Sequence, residues 1–279
     1  MQRYFSNGLI RRAMTAALAA MLVLINGPPM AAAAAPAANV LAPEQIVRLL
    51  EEGDRVLQQG NADSAIKKYF DPVLQSFMRQ TAKAAADEEI YASHGASETL
   101  AYSGLVSAEN EQAKGKTPLR MVAVDGAWTD ALVLKARALV ALKRAADAQD
   151  VLNQALTISP KFPTPWIELG AILQSERDWP RSQNAYRGAE NATVYVDDKL
   201  LQTQLLGSAL RGQAYALRQL TRLAEADVLY KRALKLNPDD SVAQGELAHS
   251  EELRAAQAAN PPAATPAPAT TAPPTPVPH

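Results

Sequence analysis

The 279-residue sequence carries 28 Lys and Arg against 29 Asp and Glu, and 48% of its residues are apolar although only 5% are aromatic. The absence of cysteine excludes disulfides, thiolate catalysis and cysteine metal sites, and three histidines leave little material for a histidine metal centre. Because the formal net charge is −1, the chain lacks the basic surplus with which nucleic-acid-binding proteins neutralise phosphates, so we expect no nucleic-acid partner.

The first 34 residues have the three-part layout of a secretory signal peptide: early arginines, an apolar run over residues 13–25, and small residues at 31–35. The apolar run is shorter than the about 20 helical residues that span a bilayer. We therefore predict a cleaved signal peptide, a linker over residues 35–43, and a periplasmic or secreted protein of net charge −4 with no membrane span. Two alternatives stay open: an uncleaved membrane anchor, and twin-arginine export directed by Arg11-Arg12.

The apolar pattern of residues 44–128 predicts helices, but any repeat within this range is weak. A first helix pair is broken at Asp71-Pro72, because proline cannot continue a helical hydrogen-bond ladder. The pattern predicts one helix over residues 73–90 and another over 98–112, whereas residues 120–124 fit either a short helix or an extended segment.

Residues 129–255 repeat themselves at a spacing of 34 residues. Gly170 lies 34 residues after Ala136, and the next step, to Ala214, is 44 residues, which predicts about ten inserted residues around 191–201. Small residues at fixed positions allow paired helices to pack closely, and large residues fill the space beside them. The recurring small residues are Ala136, Gly170 and Ala214 in first helices and Ala148, Ser182 and Ala226 in second helices; the large ones are Leu152, Tyr186 and Tyr230.

This pattern resembles the tetratricopeptide repeat, a unit of two antiparallel helices with the signature W-x2-L-G-x2-Y, then A-x3-F, A and P. Trp166, Leu169 and Gly170 match the first helix, with leucine at 173 in place of tyrosine. The second helix and its end are matched by Ala226, Tyr230, Ala233 and Pro238. The resemblance implies an all-α fold, a right-handed superhelical solenoid of antiparallel helix pairs. We expect divergent helices of this type over residues 44–128, and clear repeats with a closing helix over residues 129–255.

In the tetratricopeptide family the first helices line a concave groove that holds a peptide or helix of another protein. The resemblance therefore implies a non-enzymatic protein-interaction scaffold. Arg211, Tyr215 and Arg218 lie on one face of a predicted first helix. Together with Arg137 they are our candidate groove residues, suited to an acidic partner through charge-assisted hydrogen bonds. The alternative is that these arginines have ordinary partners within the chain.

Residues 73–127 fit no repeat and contain His94 and Glu98, which are one helical turn apart. Two such side chains without a third make a poor metal site. We predict no catalytic residue, metal or cofactor, and keep as an alternative an enzyme whose chemistry lies in this region.

Residues 256–279 consist mainly of Ala, Pro and Thr, with eight prolines from Pro261 to Pro278 and no Asp, Glu, Lys or Arg. Such a composition predicts a disordered tail with polyproline II character, because it buries too little apolar surface to offset the entropy of ordering. A second function hypothesis follows from it: a structural subunit of a cell-envelope assembly, tethered by this tail.

Overall fold

The computed structural model describes residues 40–113 and 115–259. The predicted signal peptide, residues 35–39 of the predicted linker and residues 260–279 of the predicted tail lie outside the described residues. Within these described ranges, no helix combines the length and apolarity needed to cross a bilayer.

The first layer of the fold is a helix pair. Helix α1 spans Pro43–Gln58; the chain then forms α2 over Ala62–Ala65, a π-helical turn over Ile66–Phe70 and α3 over Asp71–Thr81. The break predicted at Asp71-Pro72 does not occur. Because Pro72 has no N–H and its ring crowds the carbonyl one turn earlier, the wider π-helical turn just before it lets the helix continue.

A β-α-β insertion occupies residues 88–125. Strand β1 (Glu88–Ser93) pairs in parallel with β2 (Arg120–Asp125), and α4 (Ala96–Gln112) crosses between them. The helix predicted through residue 90 is therefore wrong beyond Thr81, and the extended alternative for residues 120–124 is correct. The prediction failed at 88–93 because Glu-Glu-Ile-Tyr-Ala-Ser is buried from both sides and lacks a clean alternation of apolar and polar residues.

Seven further helices complete the solenoid and pack mainly in chain order, each against the next. The predicted solenoid of helix pairs is thus confirmed. The helices are α5 (Ala127–Ala141), α6 (Ala145–Ile158), α7 (Pro163–Ser175), α8 (Trp179–Ala192), α9 (Lys199–Gln219), α10 (Leu223–Leu236) and α11 (Ser241–Ala259), with a 3-10 turn at Thr193–Tyr195.

Each tight turn inside a helix pair contains one residue in the left-handed region. These residues are Lys143, Arg177 and Thr221, with φ near 60°, and the first pair has Gly60 at φ 85°. Their spacings of 34 and 44 residues are those of the sequence repeat. The turn of each pair therefore contains one residue with a positive φ. Only the first pair has glycine there, the residue that adopts this conformation most easily.

The ring of Tyr186 on α8 fills the space between two glycines on neighbouring helices. A Cβ atom at Gly170 on α7 would lie 2.8 Å from this ring, and one at Gly212 on α9 would lie 2.4 Å from it. The Tyr186 hydroxyl donates to Gln174 Oε1 at 3.2 Å. The prediction that Gly170 lies where two helices pack closely is confirmed. Gly212 lies two residues before the repeat position at Ala214 and was not among the predicted small positions.

The closing helix α11 runs to Ala259, four residues past the predicted boundary. It buries Ala243 and Ser250. Ion pairs join it to the preceding helices: Arg254 to Asp227 at 2.5 Å and Arg218 to Glu246 at 2.9 Å.

We predict that Gly212→Ala lowers the free energy of unfolding by about 1–3 kcal/mol, because the added methyl group overlaps the ring of Tyr186. Gly104→Ala is the matched control, since Gly104 also lies within a helix but has no atom within 4 Å of its added Cβ. It should stabilise the protein by about 0.5–1 kcal/mol. Urea denaturation measures both, and equal effects would contradict the proposed packing.

Candidate functional site

A cleft of about 280 Å³ lies where α7, α9 and α11 meet. The buried side chains of Tyr186 and Tyr230 form its floor, whereas Tyr215 is half-buried and Val242 is 59% exposed. Burial raises the pKa of Tyr186 to about 12, with a contribution from the charge of Glu168, so its hydroxyl stays neutral. The other residues around the cleft are Ile167, Gln174, Ser208, Arg211, Gly212 and Glu246.

The structure brings three of the four predicted groove residues together at this cleft. Arg211 and Tyr215 line it, and the guanidinium of Arg218 lies over the Tyr215 ring, 4.8 Å from its centroid. Trp179 packs edge-on against the same ring at a centroid distance of 6.0 Å. Tyr215 is therefore held between a cation and an indole, which fixes one wall of the cleft.

Both arginines at the cleft already have carboxylate partners. Arg211 donates to Asp240 and, through Nη2, to Ser208 Oγ at 3.2 Å. Arg218 pairs with Glu246 at 2.9 Å and its side chain is only 11% exposed, against 31% for Arg211. Both arginines therefore pair within the chain, which is the alternative that the sequence left open.

Arg137 does not reach the cleft. It lies on α5 and donates to Glu168 Oε1 from Nε at 3.0 Å and from Nη2 at 2.6 Å. Arg137 thus joins α5 to α7, and its proposed role in binding a partner stays a prediction that this geometry does not favour.

Asp240 and Glu246 neutralise the cleft but were not among the predicted site residues. Asp240 directly precedes α11 and accepts a hydrogen bond from the Ala243 N–H at 3.0 Å, as a helix-capping residue does. That capping position was a usable signal. Glu246 carried no such signal, because its partner is 28 residues away and only the fold brings them together.

A larger cleft of about 380 Å³ lies between the π-helical turn, α5 and α6, but most of its charged side chains pair with one another. Its charged pairs are Lys67 with Asp63 at 2.8 Å, Lys135 with Asp71 at 2.7 Å and Arg144 with Asp147 at 2.6 Å. With few exposed apolar atoms and no aromatic side chain among its lining residues, it is a weaker candidate than the cleft between α7, α9 and α11.

His94 joins the β-α-β insertion to the solenoid. Its Nδ1 lies 3.3 Å from Glu98 Oε2 on α4, its Nε2 lies 3.2 Å from Asp130 Oδ1 on α5, and its ring stacks on Phe162 with centroids 3.6 Å apart. Burial alone would lower the pKa of His94, but the hydrogen bonds and charges of Asp130 and Glu98 raise it to about 9. Both ring nitrogens of His94 thus face carboxylates of the protein, and the raised pKa favours the charged form of the imidazole.

Asp197 holds the same end of the insertion, at the start of α4. Its Oδ2 accepts from the Ser97 N–H at the start of α4 at 3.4 Å, and hydrogen bonds from Ser97 lower the pKa of this carboxyl. The neighbouring Asp198 caps α9 by accepting from the Leu201 N–H at 2.8 Å. The extra residues predicted around 191–201 thus hold the β-α-β insertion against the solenoid.

The described residues, 40–113 and 115–259, contain no group of three side chains arranged to bind a metal ion. Glu98 lies with His94 but also accepts a hydrogen bond from Tyr102 and another from the His94 N–H at 2.8 Å. These bonds use both carboxylate oxygens inside the protein, so this cluster is suited to docking the insertion.

The tetratricopeptide repeat family model matches residues 129–162, which cover most of α5 and all of α6, and residues 212–240, which cover the last part of α9 and all of α10. No curated protein sequence matches the chain.

Two solved structures resemble the chain at low sequence identity. One is the crystal structure of the APC/C hetero-tetramer Cut9-Hcn1, with 15% identity and a TM-score of 0.41 over 89% of this chain and 41% of that one. The other is BtubC (BKLC) from P. vanneervenii, with 14% identity and a TM-score of 0.37 over 84% of this chain and 99% of that one. The chain thus spans less than half of the first of these proteins.

We predict that His94→Gln destabilises the protein most at acid and neutral pH. The folded pKa of about 9 exceeds the ordinary value of 6.5, so the charged imidazole contributes fully below pH 6.5 and its contribution is lost as the pH rises through 9. At pH 6 the cost should approach, at most, about 3 kcal/mol, since each pKa unit is worth about 1.4 kcal/mol.

Denaturant unfolding of the variant and the wild type from pH 6 to pH 10 measures this difference. His249→Gln is the control, because His249 is exposed and its change should cost less than about 0.5 kcal/mol at any pH. If the difference in the free energy of unfolding between His94→Gln and the wild type stays constant across this range, the side chain acts through packing on Phe162 alone.

Proposed function

We propose that this protein is a non-enzymatic scaffold that binds another protein, with a peptide or short helix of the partner held in the cleft between α7, α9 and α11. The proposal rests on the cleft itself. In it the half-buried Tyr215 and the exposed Val242 lie beside Arg211 on helices of the solenoid. Tetratricopeptide repeats are protein-interaction units, and the matched segment 212–240 supplies the last part of α9 and all of α10 in this region. Aromatic and arginine side chains are also those that dominate protein interfaces.

Arg211 is the residue that we propose to contact an acidic group of the partner. Its side chain is more exposed than that of Arg218, and Asp240 and Ser208 engage only its two terminal nitrogens. A guanidinium has five N–H donors, so a partner carboxylate has donors left to bind. The ring of Tyr215 and the side chain of Val242 then provide apolar contact for the neighbouring partner residues.

We also propose that the protein works in the periplasm or outside the cell. The support is the sequence of residues 1–34, with its basic start, short apolar run and small residues before the proposed cleavage point. A scaffold without cysteine needs no oxidative folding step in such a compartment.

A copy tagged at its C-terminus should appear in the periplasmic or secreted fraction of a bacterial host, with a mass that corresponds to loss of about 34 residues. Mass spectrometry of the purified protein gives the cleavage point. Full-length protein retained in the membrane fraction would favour the uncleaved anchor, and a matched copy with Arg11-Arg12 changed to Lys-Lys tests twin-arginine export.

Partner binding is tested by a photo-crosslinking amino acid placed at 242 in cells that contain the natural partner. The matched control is the same amino acid at 228, since Val228 is 57% exposed, close to the 59% of Val242, but lies on α10 outside the cleft. We expect capture of a defined protein at 242 and little at 228.

Charge substitutions at the same two positions test the cleft in a separate measurement, the affinity of the purified protein for the captured partner. Val242→Glu places a negative charge in the cleft without removing any ion pair, and should raise the Kd about tenfold if it costs about 1.4 kcal/mol of binding free energy. Val228→Glu should leave the Kd unchanged. Equal capture at both positions, or an unchanged Kd for Val242→Glu, would remove the cleft as the binding site.

A further inference from the structure

An exposed and nearly uncharged stripe runs along α11 from its C-terminal end to the cleft. Val242, Gly245, His249 and Leu253 follow one another at helical spacing, and all four are exposed. Ala243 and Ser250 are buried on a side of the helix about a quarter turn from the stripe. Glu246 and Glu252 border the stripe, and Glu252 lies 3.8 Å from the His249 ring. One end of the stripe, at Val242, forms part of the cleft wall.

The charges at the cleft are balanced within the protein. Asp240 neutralises Arg211, and Glu246 neutralises Arg218. An acidic group of a partner can use the N–H donors of Arg211 that remain free, but it binds there beside Asp240, which costs part of the attraction. An uncharged, apolar occupant needs only the exposed surfaces of Tyr215 and Val242, so the balanced charges allow it to bind as well.

The chain itself contains such an occupant. Residues 260–278 directly follow α11 and hold eight prolines and no Asp, Glu, Lys or Arg, with a P-x-x-P sequence at Pro273–Pro276. Proline-rich segments bind grooves lined by aromatic side chains because their backbone is already constrained, so little entropy is lost on docking. The cleft offers the half-buried ring of Tyr215, with the buried rings of Tyr186 and Tyr230 beneath it.

The length of this segment matches the distance it has to cover. From Ala259 back to Val242 the helix rises about 26 Å, at about 1.5 Å per residue. A polyproline II chain covers that distance in about nine residues at about 3.1 Å each. Allowing a few residues for the reversal of direction, the part of the segment from about residue 272 onward reaches the cleft, and it contains the P-x-x-P sequence.

We propose that residues 260–278 fold back along the exposed stripe of α11 and place Pro273–Pro278 in the cleft. The segment is then an intramolecular competitor of the partner, so a partner must displace it before binding. This competition rests on the proposed function, but the docking of the segment does not.

The test is disulfide trapping in the full chain, which has no cysteine of its own. One variant carries Val242→Cys and Thr275→Cys, and the control carries Val228→Cys and Thr275→Cys. Val228 is a stringent control, because its neighbour Asp227 pairs with Arg254, close to the point where the segment leaves α11. A segment that only diffuses on its tether therefore meets position 228 at least as often as position 242.

Under mild oxidation, we expect the 242–275 disulfide to form about tenfold faster than the 228–275 disulfide, because docking raises the effective concentration of the two thiols. Non-reducing gels separate the intramolecular product from disulfide-linked dimers. Equal rates at the two positions would overturn the proposal, and so would products that are mainly dimers, since these would place the segment in the cleft of a second copy.

A second comparison tests whether the prolines cause the docking. Changing Pro273, Pro274 and Pro276 to serine should bring the 242–275 rate down to that of the 228–275 control, whereas the same changes in the control should have no effect. An unchanged 242–275 rate would show that proline recognition is not involved and would also contradict the proposal.

The two proposals can fail separately. Capture of a partner at position 242 together with equal disulfide rates would retain the partner site and reject the docked segment. A fast 242–275 disulfide without capture of any partner would retain the docked segment and reject the proposed function at this cleft. If both hold, the three proline changes should increase partner capture at 242.

Discussion

The stack of helices from α7 to α9 depends on the contact of Tyr186 with Gly170 and Gly212. The helix axes approach closely because neither glycine has a side chain, and the tyrosine ring occupies the space this leaves. Burial of a large ring between two backbones couples three helices through one residue. The same ring forms the floor of the candidate cleft, so the packing of the solenoid and the shape of the proposed binding surface have a common origin.

The two segments that depart from the repeat contact each other. The β-α-β insertion at 88–125 interrupts the solenoid early, and the extra residues before α9 lengthen it later. Asp197 from the second meets the start of α4 in the first, while His94 is held by Asp130 on α5 and by Phe162 before α7. The insertion is thus fixed to several repeat units at once, which makes it part of the solenoid's rigid body.

The sequence predicted the helix pairs because their small and large positions recur at a constant spacing, as at Gly170 and Tyr186. It did not predict β1, since a strand covered on both faces has no distinctive period. Helical geometry alone predicted that Arg211, Tyr215 and Arg218 share one face. It did not predict that the two arginines are neutralised, because Asp240 and Glu246 reach them only after α11 has packed against α9 and α10.

The residues that neutralise Arg211 and Arg218 have a consequence for how this array can change in evolution. Repeat proteins commonly grow or shrink by whole units, since each unit contacts mainly its neighbours. Here α11 and the residue before it supply the counter-charges of both arginines, so a unit inserted between α10 and α11 would have to bring an acid at both of the corresponding places.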